Sequence, residues 1–212
     1  GDADGAVTGN TRRFGASFEK ITQVVGARNN EIMFGLNMIV FKGKTIFVAD
    51  TSVHEYPSSE ELSEIAISAA RVVRLFGIDP KVAFVSHSTF GQPLTSRTKH
   101  IKKAVDILKD KNVDFEFDGD MQPDVALNDE YKDLYPFSNI VGNANILIMP
   151  GQHSAAISYK MLKTLGDTKV IGPLLIGLGL PIEIAPLRTS TSELINLASI
   201  AAYSADKIDY KK

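Results

Sequence analysis

The chain has 212 residues, 44% of them hydrophobic and 23% charged, with a formal net charge of -2. That is enough apolar material for one sizeable α/β domain, and without a basic excess nothing points to nucleic acid or to an anionic membrane surface. Cysteine is absent, which excludes disulfides, thiolate nucleophiles and cysteine metal sites; no apolar run reaches bilayer length and no basic-then-apolar leader opens the chain, so a cytoplasmic location is expected.

The first residues, GDADGAVTGN, lack an initiator methionine and read as a glycine-rich turn in mid-fold, so a piece of a longer protein is expected. Phe14 to Val25 predicts a short amphipathic helix, with Phe18, Ile21 and Val25 at helical spacing and Gly26 as its stop. The stretch IMFGLNMIVFKGKTIFVAD predicts a hairpin about Lys42-Gly43-Lys44. Ser58 and Glu61 have capping-box spacing, and Leu62, Ile65, Ala66, Ala69, Val72, Val73 and Phe76 make one apolar helical face before Gly77. KVAFVS predicts a buried strand, and Arg97 to Lys109 a helix with Ile101, Ala104, Val105 and Leu108 inside. DFEFDG and NILIMP predict strands, SAAISYKMLKTLG a helix ending on Gly166, KVIGPLLIG and PIEIA two more extended segments, and Ser190 to Ala205 the closing helix before a soft tail, DKIDYKK. Strands separated by helices imply a mainly parallel sheet covered on both faces.

Ligands of such sheets gather where strand ends give way to loops and helix N-termini. VSHSTFGQP leaves a buried strand with Ser86, His87, Ser88 and Thr89, and MPGQHSAAIS leaves another with Gln152, His153 and Ser154. Near the N-terminus, TGNTRRF places Gly9, Arg12 and Arg13 before a helix, which suits a phosphorylated ligand. PLRTSTSELIN sets hydroxyls and Arg188 before the last helix, where unpaired N–H groups favour a phosphate or an acyl oxyanion. The same hydroxyls, Ser154 included, are ordinary capping chemistry. The basic face RTKHIKK reads as a solvated helix surface, and DGDMQPD, with Asp118, Asp120 and Asp124, lacks the ligand pattern of a calcium site. Neither a glycine-rich nucleotide fingerprint nor a serine-histidine-acid set can be assembled.

GDADGAVTG, VADTSVHEYPSSEELSEIAISAARVVRLFGIDPKVAFVSHSTFG, DFEFDGDMQPDVALN, ANILIMPGQHSAAISYKMLKTLG and VIGPLLIGLGLPIEI resemble, in this order and over nearly the whole chain, the phosphate acetyltransferase family. TRRF, ADTSVHEYP, SHSTFGQP, YPFS and HSAAISYKML are most similar to the acetyltransferase-like C-terminal region of bacterial hybrid malic enzymes. The resemblance implies an α/β/α sandwich of two subdomains on a mainly parallel or mixed sheet, N-terminally truncated here. Residues 1–25 and 186–212 would belong to the incomplete first subdomain and 26–185 to the second, with a ligand cleft between them.

Active members of this family read serine-arginine-glycine at the junction, then an aspartate before an apolar pair. Serine and arginine serve the acetyl and phosphate groups, and the aspartate is the base for the CoA thiol. Aligning on Leu194-Ile195 places Glu193 at the aspartate, Leu187 at the arginine and Pro186 at the serine. Moving by one restores Arg188 but puts Leu194 at the base, so no register keeps the set. The resemblance therefore implies a domain that senses acetyl-CoA or CoA for an upstream malic-enzyme domain, with Glu193 and Arg188 as a degenerate catalytic pair. Arg12 or Arg13 would meet phosphate or carbonyl oxygen, Asn196 would bond the ligand, and Ser86, Ser88, Thr89 and Ser154 would line the cleft. No cofactor is expected in this chain; NADP and a divalent metal belong with the malic-enzyme domain. The competing expectations are a working acyl-phosphate transferase and an oligomerisation domain, and a homo-oligomer is expected in any case.

Overall fold

Alternation of apolar residues along the central strands decides which helices each side chain meets. In β3 (Lys44–Ala49), β4 (Lys81–Val85) and β6 (Ile146–Ile148), Phe47, Val82, Phe84, Ile146 and Ile148 face one buried cluster. Their neighbours Val48, Ala83, Val85 and Leu147 face another on the far side of the sheet. This period of two, apolar on both faces, is what a sheet covered by helices on each side requires. The computed structural model describes residues 2–208, apart from the side chain of Lys132.

The first face is covered by α2 (Ser59–Leu75), through Leu62, Ile65, Ala69 and Val73, and by α3 (Ser96–Asp110), through Ile101, Ala104, Val105 and Leu108. Both helices begin with reciprocal side-chain caps, Ser58 with Glu61 and Thr95 with Thr98, which satisfy N–H groups that the first turn leaves free. The other face is covered by the short α4 (Pro123–Leu127), a 3-10 turn at Asp129–Leu134, and α5 (Gln152–Leu165), which ends on Gly166 as expected. The result is an α/β/α sandwich.

With β2 (Phe34–Phe41), β5 (Glu116–Met121) and β7 (Lys169–Ile176), the main sheet has six strands in the order β5-β4-β6-β3-β2-β7. It is mixed: β3, β6, β4 and β5 pair in parallel, while β2 is antiparallel to both of its neighbours. The β2–β3 hairpin turns on Lys42 and Gly43, at φ 47° and 75°. Two consecutive left-handed residues give the turn whose twist matches the strands.

A second, two-stranded sheet pairs β1 (Ala6–Gly9) with β8 (Ile182–Ala185) in parallel, flanked by α1 (Phe14–Val24) and α6 (Thr191–Lys207). Here the structure corrects the reading of GDADGAVTGN as a turn: Ala6–Gly9 is a strand, because β8 supplies the partner that its weak strand propensity could not predict. Both ends of the chain thus meet at this sheet, and β8 takes part in it from before residue 186. The expected soft tail is helical through Lys207; residues 209–212 lie outside the described residues.

Two buried carboxylates tie separate segments together. Asp50, fully buried after β3, accepts hydrogen bonds from the backbone N–H groups of Gly35, Ser52, Val53 and His54, at 2.6 to 3.2 Å. Its Oδ2 also lies 2.7 Å from His54 Nδ1. This hydrogen bond holds the His54 imidazole above its ordinary range, against the opposing effect of burial. On β8, the buried Glu183 accepts at 2.9 Å from the N–H of Leu175, an edge group of β7. Burial, with no cationic partner among the described residues, pushes its carboxyl up to about 8, so the protonated form is the one that fits.

A carboxyl raised from 4.5 to about 8 in the folded state contributes stability that is complete below pH 4.5 and is lost as pH rises towards 8. Between those values it should cost at most about 1.4 kcal/mol per pH unit. Glu183→Gln keeps the acceptor for Leu175 and cannot ionise. Denaturant midpoints measured from pH 5 to 9 should fall less steeply for this variant than for the unmodified protein; identical slopes would refute the assignment.

Candidate functional site at the ends of β1 and β8

Parallel strands that each run into a helix point two sets of loop N–H groups the same way. After Gly9 the chain turns through Asn10, at φ 63°, and reaches α1; after Ala185 it turns through Arg188, at φ 62°, and reaches α6. The two turns are tied together. Asn10 N–H donates to the Ala185 carbonyl at 2.9 Å, and Asn10 Oδ1 accepts from Thr189 N–H at 3.1 Å. Two helix N-termini therefore open side by side at the end of one small sheet, an arrangement that favours anions.

Beside them lies a cleft lined by Lys163 of α5, Ile171 and Gly172 of β7, Arg188 and Thr189 of the junction, and Glu193 and Leu197 of α6. Glu193, the residue aligned with the family's base, is already committed. Its Oε2 accepts from Ser190 N–H and from Ser190 Oγ, each at 2.8 Å, completing a capping box, and its Oε1 accepts from Lys163 Nζ at 2.7 Å. The Lys163 ammonium first, and then the Ser190 N–H, pull its carboxyl down to about 2. Arg188 lines the same cleft and is otherwise exposed. Arg12 and Arg13 stand exposed in the turn before α1, Arg13 as its N-cap residue, with no ion-pair partner among the described residues. Asn196 is half-buried one turn along α6 from Glu193.

The remaining hydroxyls belong to another part of the molecule. Ser86, Ser88 and Thr89 follow the C-terminal end of β4, four strand positions from β7, or about 19 Å across the sheet. All are buried and engaged in their own loop. Ser88 Oγ donates to Asp120 Oδ2, Ser86 Oγ accepts from Ser88 N–H at 3.3 Å, and Thr89 Oγ1 accepts from Gln122 N–H at 3.2 Å. Ser154 departs from the capping role: Gly151 is the N-cap of α5, and Ser154 Oγ donates to its carbonyl at 2.8 Å. The structure brings together Arg188 and Glu193 in the cleft, with Arg12 and Arg13 on the adjoining turn; it does not bring Ser86, Ser88, Thr89 or Ser154 into that cleft.

Lys163 and Asn10 are the residues that sequence reasoning missed. Asn10 had a local signal, since asparagine after glycine suits a left-handed turn. Lys163 had none, because its partner lies on another helix. Among the described residues no cluster of histidine and acidic side chains could hold a metal ion, and no helix is long and apolar enough to cross a membrane.

Residues 1–202 match the family model described as phosphate acetyl/butaryl transferase. The NADP-dependent malic enzyme of Rhizobium meliloti is 46% identical over 205 residues, covering 97% of this chain and 27% of that protein. The phosphate acetyltransferase of Clostridium acetobutylicum is 32% identical over 217 residues, covering 98% of this chain and 65% of that one. Among solved structures, a phosphotransacetylase from Streptococcus pyogenes superposes with a TM-score of 0.90 at 30% identity, over 97% of this chain and 64% of that one. The chain thus spans about a quarter of the length of the malic enzymes it matches and about two thirds of the acetyltransferases. With this coverage and the α/β/α architecture above, the chain belongs to the phosphate acetyl/butaryl transferase family.

Proposed function

We propose that the chain is an acetyl-CoA- or CoA-binding regulatory domain of an NADP-dependent malic enzyme, with no acyl transfer of its own. One observation carries the second half: the carboxylate at the base position is a helix cap and an ion-pair partner. A general base must reach the proton and have an affinity for it near that of its donor. Glu193, held down to about 2, stands roughly six units below an ordinary thiol. The serine and arginine of the acyltransferase pattern are replaced by Pro186 and Leu187 in the register that aligns Glu193. What survives is an anion-favouring pair of turns with Arg12, Arg13 and Arg188 around it, which suits the phosphates of CoA. Asn196, one turn along α6 from Glu193, can both donate and accept. NADP and the divalent metal of malate oxidation would bind the malic-enzyme domain, for which this chain would report acetyl-CoA supply.

A specific observation favours assembly as an additional role. On α5, Ile157, Met161 and Leu165 are 59%, 55% and 81% exposed and repeat at four-residue spacing, an apolar stripe that a second copy of the chain would bury.

Acetyl transfer from acetyl phosphate to CoA should be negligible in the intact protein; turnover on the order of 1 per second or more would sink the regulatory reading. Acetyl-CoA should shift malate-dependent NADP reduction, and Arg12→Ala or Asn196→Ala should raise its half-effect concentration roughly ten- to hundredfold while leaving the ligand-free rate unchanged. Unchanged midpoints in both variants would remove these residues from the site. Met161→Glu should reduce the assembly mass measured by light scattering, and an unaltered mass would clear α5 of that role.

A further inference from the structure

Lys163 lies in the last turn of α5 and Glu193 in the first turn of α6. α5 packs against β3 and β7 of the main sheet, while α6 packs against β1 and β8 of the small one and also against β7. Their ion pair links the two helices directly across the cleft. The tie is weak by construction, since Lys163 and Glu193 side chains are 50% and 29% exposed and water screens such a pair. Glu193 also keeps its two contacts with Ser190 when Lys163 departs, so opening the pair strands no carboxylate.

A carboxylate is thus already docked on a cation in a cleft that Arg188 also lines. We propose that Glu193 is a built-in stand-in for an anionic group of the ligand: a phosphate group entering this cleft takes Lys163 from Glu193 and so unties α5 from α6. This rests on the acetyl-CoA reading of the site and names the switch within it. Lys163 is then a ligand-binding residue, and Glu193 a competitor for it. The same helix α5 carries the exposed stripe of Ile157, Met161 and Leu165.

Competition gives the two partners opposite signs, which a merely structural ion pair does not. Calorimetric titration of the intact protein with acetyl-CoA, and separately with inorganic pyrophosphate, tests this on three forms. Lys163→Met should weaken both ligands about tenfold or more, having lost a charged contact. Glu193→Gln, which retains a capping side chain, should tighten both by roughly three- to tenfold, and the gain should shrink at high salt. If both variants weaken binding, or neither changes it, while the unmodified protein binds acetyl-CoA, the stand-in is wrong and the regulatory reading stands. If the unmodified protein binds neither probe, both fall.

Discussion

Everything proposed for the site depends on the parallel pairing of β1 with β8, and that pairing depends on Gly9. Its φ of 101° is one that side chains rarely adopt, and a Cβ there would meet the Ala185 carbonyl oxygen at 2.3 Å. Only the missing side chain lets the two strands finish side by side. Closing a loop of this length carries a large entropic cost, though one that grows slowly with length, and burial of Leu175, Leu178 and Ile184 against Phe14, Phe18 and Ile21 helps offset it. The Asn10–Thr189 contact then fixes how the two turns face each other.

The small sheet is fastened to the large one by groups of unlike strength. Glu183 reaches the edge of β7 as a buried, neutral hydrogen-bond acceptor, and Tyr203 Oη donates to the Leu75 carbonyl at the end of α2. Lys163 and Glu193 make a charged contact open to water. Buried neutral contacts persist as salt and ligands change, whereas exposed charged ones respond to both. Of these polar links, the Glu183 contact is the buried one and the Lys163–Glu193 pair the one open to salt and ligands, as the proposed ligand-responsive role would require.

Replacement of a reactive group need not empty a site. Glu193 folds back onto Ser190 and meets Lys163 at once, so its carboxylate serves as a helix cap and an ion-pair partner together. Arg188 keeps its charge beside the cleft although no register returns it to the family's position together with an acid. In the proposed reading the retained property is positive potential, which binding needs, and the missing one is an available base, which transfer needs.

The sequence by itself determined the element boundaries to within a residue or two wherever apolar periodicity was strong, as in α2, α3 and the β2–β3 hairpin. It also determined the Ser58–Glu61 cap, because periodicity and capping are local and are written within a few residues. The altered junction was legible for the same reason: Pro186, Leu187 and Glu193 stand in one short stretch. Tertiary structure alone decided the rest. It made a strand of Ala6–Gly9 by giving it β8, and buried Glu183, which alternation with Ile182 and Ile184 would turn towards solvent, between two layers. It withdrew Ser86, Ser88 and Thr89 into their own loop and set Lys163 against a residue thirty positions away. These outcomes depend on which surfaces meet, and residues far apart in the chain carry no mutual signal until the core has packed them together.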